Sequence, residues 1–265
     1  MATQVNKQKV LEYVLPSAAL VAALLGWEFV VWWHTIPPYI LPAPSLILTT
    51  LVKDWATLYG SLLVTLRITA EALVAAILGG VALAMLFAQS RLVERAFFPF
   101  AVVMQVTPVI AIAPLLLIYL SANTAVLVCA FLVAFFPILS NTALGLSSAD
   151  HNLLDLFQLY GAARWQQLLW LRVPSALPYF LGGLRIGGGL ALIGAIVAEI
   201  AAGSAGQGAG LAYRIVESGF RLNIPRMFAA LLLISVAGIM IYLVLTAFSH
   251  LLLRRWHDSA RGRER

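Results

Sequence analysis

Charge is scarce in this chain: Asp, Glu, Lys and Arg together make up 11% of its 265 residues, against about 25% in an ordinary soluble domain. That excludes a water-soluble globule, which needs far more polar surface to cover a core of this size. Cysteine is scarcer still. The single one, Cys129, lies within an apolar run, so there is no disulfide framework. His34, His151, His250 and His257 are far apart and each lies near the end of an apolar run, which gives no metal-ligand spacing. No stretch reads Gly-x-x-x-x-Gly-Lys-Ser/Thr, and the glycine-rich run from Gly203 to Gly210 lacks the lysine, so it is read as a turn and the chain is not expected to hydrolyse ATP. A nucleophile elbow is also missing, and with it support for a membrane enzyme. The formal charge of +6 comes from basic residues scattered among apolar runs and gathered at their ends. That pattern fits membrane orientation and not a nucleic-acid surface.

What is abundant is apolar: 62% of the residues. Six stretches stand out, at about 14–33, 61–88, 98–120, 124–146, 176–202 and 228–253. They predict an all-α membrane protein of about six transmembrane helices: an N-terminal segment 1–13, a transmembrane domain 14–253 and a basic tail 254–265. The first stretch is too long for a signal-peptide core of about 7–15 residues and ends in the interfacial pair Trp32 and Trp33, so it reads as a retained helix. Ile36 to Ser45, with four prolines, reads as a helix-breaking connection, and Pro108 and Pro114 are expected to kink the third span.

Lysine and arginine set the orientation. With the N-terminus cytoplasmic, that side holds eleven: Lys7, Lys9, Arg91, Arg95, Arg164, Arg172, Arg254, Arg255, Arg261, Arg263 and Arg265. The opposite side holds four, Lys53, Arg214, Arg221 and Arg226. Both termini are therefore expected in the cytoplasm.

The longest polar stretch on that side, Asp150 to Pro174, reads as two short helices around Gly161, the second stopping at Pro174. It is either an ordinary amphipathic interfacial loop or a docking element. Here the sequence resembles the inner-membrane permeases of binding-protein-dependent ABC importers, whose cytoplasmic signature runs Glu-Ala-Ala, three residues, Gly, nine residues, then Ile-x-Leu-Pro. Gly161 is followed by nine residues and then Leu171-Arg172-Val173-Pro174, while Asp155-Leu156-Phe157 stands in place of Glu-Ala-Ala. Leu41-Pro42-Ala43-Pro44-Ser45, Leu177-Pro178-Tyr179 to Leu184-Arg185-Ile186-Gly187, and the run ending Ala198-Glu199 are similar to the branch handling taurine, alkanesulfonates, nitrate and some vitamin precursors.

The resemblance implies a permease in a bacterial inner membrane, with a second permease copy as a homodimer partner and a periplasmic binding protein that delivers the solute. It also implies a separate cytoplasmic ATPase that uses ATP-Mg, this chain binding no cofactor. Asp155, Leu156, Phe157, Gly161, Ala162, Arg164, Leu171 and Pro174 are the expected contacts with that ATPase. A small organic or inorganic anion, or a vitamin precursor, is the expected cargo.

In-span polar groups are the candidate translocation path, because charge in a span is costly unless it meets a partner or a cavity. Arg67 and Glu71, four apart on one face, read as an internal ion pair or as part of the path. Gln105, Thr107, Ser140 and Asn141 read as path-lining groups or as hydrogen bonds between helices. Glu199 reads as a partner of Arg214 or as a contact of the delivery protein. Gly183 and Gly187, at small-x-x-x-small spacing, read as a close helix contact or a dimer seam.

Overall fold

The computed structural model describes residues 2–203 and 208–254, all of whose regular structure is helical. In chain order the helices are α1 (Ala2–Trp33), α2 (Pro44–Lys53), α3 (Trp55–Gln89), α4 (Arg91–Val106), α5 (Val109–Tyr119), α6 (Ala122–Ser147), α7 (His151–Leu159), α8 (Arg164–Gln167), a π turn (Leu168–Arg172), α9 (Val173–Ala202), α10 (Leu211–Phe220) and α11 (Ile224–Leu253). Among the described residues, five helices are long and apolar enough to cross a membrane, or six if the bent pair α4–α5 is one span. The basic tail beyond Arg254 and residues 204–207 of the glycine-rich run lie outside the described residues.

Three expectations change. The third span is broken, with α4 and α5 bent by 98°. Pro108 forces Thr107 out of the helical region, and both residues are extended, with ψ of 123° and 114°. Pro114 instead sits inside α5. The connection 36–45 ends sooner than expected, because Pro44 opens α2: its missing N–H is one that a first turn leaves unpaired in any case.

Pro174 does not stop the coupling segment. Arg164–Ala202 runs as one 39-residue candidate span, about 58 Å at 1.5 Å per residue. The π turn makes that continuity sterically feasible. The Val173 N–H reaches back five residues to the Leu168 carbonyl, and the wider turn makes room for a proline ring that an α-helix interior would not accept.

Contacts divide the chain into two units, Met1–Tyr59 with Arg214–Leu232, and Gly60–Tyr213 with Leu233–Arg265. In the first, α1 and α2 are joined by Glu28, whose carboxylate accepts from the Ser45 hydroxyl (2.6 Å) and the Ser45 N–H (3.0 Å). A carboxylate in the first span thereby caps the N-terminus of α2, which explains both the charge in α1 and the serine after Pro44.

The second unit is built on the α6–α9 seam. Gly183 faces Asn141 and the Pro137 carbonyl, Gly187 faces Ile138, and Gly194 faces Ala130. From the other side, Gly145 of α6 faces Ala176 and Tyr179 of α9. A side chain at Gly194 would bring its Cβ to 2.9 Å from the Ala130 Cα. The Gly183–Gly187 spacing is therefore a helix contact within the chain, where backbones approach because nothing stands between them. Ile138, Leu139 and Leu181, fully buried, fill the space beside the glycines.

Gly194→Val is expected to cost about 1–3 kcal/mol through overpacking. Gly189→Ala, with open space at its Cβ position, should leave the melting temperature in detergent unchanged or slightly raised. An unchanged melt for Gly194→Val would remove the seam from its role.

Candidate functional site

The segment between α6 and α9 is built by local capping. The Asp150 carboxylate accepts from the Asn152 N–H at 2.9 Å and opens α7. At the other end the Ala162 N–H donates to the Phe157 carbonyl and the Gly161 N–H to the Gln158 carbonyl, both at 2.9 Å. These two bonds form a Schellman stop, which requires a left-handed residue between them. Gly161 is that residue, with φ of +67°. Phe157 and Ala162 occupy the two positions whose side chains face each other in such a stop, which accounts for an apolar pair there. Beyond the glycine, the Gln166 side chain accepts from the Ala163 N–H at 2.7 Å and opens α8.

The foot exposes large apolar side chains. Leu159 is 85% exposed and Tyr160 83%, with Leu156 and Trp165 also exposed. Asp155, Gly161 and Arg164 are exposed too, while Phe157, Ala162 and Pro174 are half-buried. Leu171 is buried and roots the π turn. Apart from its chain neighbours, no atom of the described residues lies within 4 Å of a Cβ built at Gly161. The corner of the foot is thus open to a partner.

The candidate path residues do not assemble into one site; apart from Gln105, each bonds close by in its own helix or caps a neighbour. Arg67 and Glu71 form an ion pair at 2.7 Å with side chains 80% and 45% exposed, so it projects from the chain and does not tie its helices together. Gln105 is exposed, and the Thr107 hydroxyl donates to the Val103 carbonyl at 2.6 Å. Asn141 and Ser140 both donate to the Pro137 carbonyl, at 2.8 and 3.4 Å.

Glu199 is buried at 5% exposure. Its carboxylate accepts from the Thr65 hydroxyl (2.8 Å) and the Ala212 N–H (3.1 Å), and the Thr65 oxygen accepts from the Leu211 N–H at 2.9 Å. Side chains from α3 and α9 thus cap the first two N–H groups of α10. Gly210 is required beside them, since a Cβ there would overlap the Glu199 carboxylate. Sequence reading named Glu199 but missed Thr65: the two are 134 residues apart, and a threonine in a span carries no signal of its partner.

The partner expected for Glu199 goes elsewhere. Arg214 donates to Glu217 at 2.8 Å, Arg221 pairs with the same carboxylate at 3.0 Å, and Arg226 meets Asp54 at 2.6 Å. The basic corner that includes three arginines is thus held by two carboxylates. The hydrogen bond from Arg214 and the nearby positive charges of Arg214, Arg221 and Arg226 hold the Glu217 carboxyl below its ordinary value, against the opposing effect of partial burial.

Comparisons with known proteins fit this architecture. The family described as binding-protein-dependent transport system inner membrane component matches residues 76–258. The riboflavin transport system permease protein RibX of Chloroflexus aurantiacus is 34% identical over 249 residues, covering 91% of this chain and 89% of the relative. The formylaminopyrimidine transport permease protein ThiX of Halalkalibacterium halodurans is 35% identical over 221 residues, covering 82% and 86%. The taurine transport system permease protein TauC of Escherichia coli is 27% identical over 254 residues, covering 93% and 90%. Among solved structures, the crystal structure of an amino acid ABC transporter with histidines shares the fold, with a TM-score of 0.62 and 19% identity over 78% of this chain and 97% of that one.

Thr65→Val should cost about 1–3 kcal/mol, because it leaves the Leu211 N–H without an acceptor in a buried site. Thr65→Ser should keep most of that stability, and melting in detergent distinguishes the two. The Glu217 pairing has a definite pH sign. A carboxyl held below its unfolded value of about 4.3 stabilises above that value and loses its effect as pH falls through the lower folded value. The melting advantage of wild type over Glu217→Gln should therefore be constant from neutral pH to about pH 5 and shrink only below the ordinary carboxylate range.

Proposed function

This chain belongs to the family of binding-protein-dependent transport system inner membrane components, and from that premise we propose that it is the permease subunit of an ABC importer for small solutes. A separate cytoplasmic ATPase consumes ATP-Mg, and a periplasmic binding protein delivers the solute. A second copy of the chain completes the pathway, and both termini lie in the cytoplasm, as the distribution of lysine and arginine indicates.

One observation carries the coupling role. A capped foot that turns at Gly161 is followed directly by the 39-residue helix Arg164–Ala202. An element that converts closure of a partner into movement within the membrane has to be stiff from its contact to the core. Here α8, the π turn and α9 form one rod, and the glycine seam ties that rod to α6. The exposed Leu159, Tyr160 and Trp165 supply an apolar face for a cleft in the ATPase. Movement then follows as alternating access: drawing the feet of two copies together rotates their rods and opens the path to the opposite side.

The substrate is a small solute, with sulfonates, nitrate and vitamin precursors as the candidate classes. Relatives named for riboflavin, formylaminopyrimidine and taurine differ widely in the size and charge of their cargo. That spread supports a permease of low intrinsic selectivity, with the binding protein choosing the solute. The arginines at the basic corner, tied up by Glu217 and Asp54, support a shaped docking face for that protein over an anion trap.

Uptake by proteoliposomes holding the permease, its ATPase and the binding protein tests the coupling role. Gly161→Asn, which tolerates left-handed backbone, should retain most transport. Gly161→Trp should reach the membrane at wild-type levels and lose both uptake and stimulated ATP hydrolysis. Normal uptake by Gly161→Trp at full expression would refute the docking role.

A further inference from the structure

An open cleft of about 410 Å³ lies between α3, α6 and α9, lined by Ile77 and Met85, by Thr142 and Leu146, and by Val173 and Phe180. Its one hydroxyl is already committed, since Thr142 donates to the Ile138 carbonyl at 2.6 Å. Filled with water it would hold about fourteen molecules at roughly 30 Å³ each, and those against its walls would find almost no polar partner in the lining. The cleft is therefore not part of an aqueous path.

Its length points to another occupant. From Ile77 to Met85 the α3 wall rises about 12 Å at 1.5 Å per residue, close to the roughly 15 Å of one bilayer leaflet. One end of the cleft is marked by charge. Arg172 precedes Val173 of the lining, and its guanidinium donates to the Ala88 carbonyl at 3.3 Å, one turn beyond Met85 on α3. Arg172 is half-buried and takes part in none of the ion pairs that the described residues form. A guanidinium carries five donors in a fork suited to phosphate, and this hydrogen bond uses one. The exposed Arg91 and Arg95 follow directly after α3, at the same end.

From the apolar trough and the cation at its mouth, we infer that the cleft is a binding site for an anionic phospholipid. One acyl chain lies along α3, α6 and α9, and the phosphate is held by Arg172. Anionic headgroups are favoured over zwitterionic ones because Arg172 pairs with no carboxylate among the described residues. The site sits where the π turn joins α9, so a bound lipid braces the rod at the point where it enters the bilayer. The inference rests on the membrane placement of these helices and not on the identity of the ATPase or the solute.

Native mass spectrometry of the purified chain from nanodiscs of equal phosphatidylglycerol and phosphatidylcholine tests it, with melting temperature as a second readout. Wild type should retain phosphatidylglycerol selectively and melt higher in its presence. Arg172→Gln should lose that selectivity about tenfold or more, as expected for loss of a charge-assisted bond. Ala82→Trp, which fills the cleft from its exposed wall, should lose retention of both lipids while keeping wild-type helicity. Arg185→Gln, away from the cleft lining, serves as the control and should match wild type. Equal retention of the two lipids by wild type, or unchanged selectivity in Arg172→Gln, would overturn the inference. So would efficient disulfide cross-linking of Ala82→Cys between two copies in native membranes, because a protein face would then cover the cleft.

Discussion

The close approach of α6 and α9 is the contact on which the larger unit depends. In lipid, helices gain little from hiding apolar side chains from one another, because acyl chains are as apolar as leucine. What remains is dense van der Waals contact and buried hydrogen bonds, and both require backbones to come near. Gly145, Gly183, Gly187 and Gly194 allow this by presenting backbone where other residues would present side chains. The buried alanines, among them Ala130, Ala134, Ala191 and Ala195, continue the same seam.

That seam gives the coupling segment mechanical meaning. A foot attached through a flexible loop would absorb a partner's movement before it reached the membrane. Here the Schellman stop at Gly161 sets the angle of the foot, and the π turn carries helix past Pro174 without interruption. The buried polar cap formed by Glu199, Thr65 and the start of α10 then ties the far end of α9 to α3. The rod is thus held to α6 along its length and to α3 near its end, so movement of the foot has to displace packed helices as a body.

Spacing and composition made parts of the site legible. The nine residues between Gly161 and Leu171 located the foot, and the glycine's role follows from the backbone alone, since no other residue enters the left-handed region so freely. The in-span charges were equally visible, but their roles were not. Glu199 and Arg67 look alike in sequence, as charges near others in apolar runs. One is buried and accepts from a threonine hydroxyl and one backbone amide, and the other projects outward with Glu71. The third span looked like one kinked helix because proline marks a break without stating its angle.

By itself the sequence determined that this chain is an apolar helical membrane protein, roughly where most of its long helices lie, and that a glycine and a proline flank a foot between the fourth and fifth apolar runs. These are properties of composition and local backbone geometry, and short windows carry them. Only the tertiary structure decided that Pro174 lies within a continuous rod, that Gly183 and Gly187 face α6, and that the corner arginines are held by Glu217 and Asp54. Each of those depends on which residues meet across long chain separations, and hydrophobic periodicity is silent on that because every face of a membrane helix is apolar.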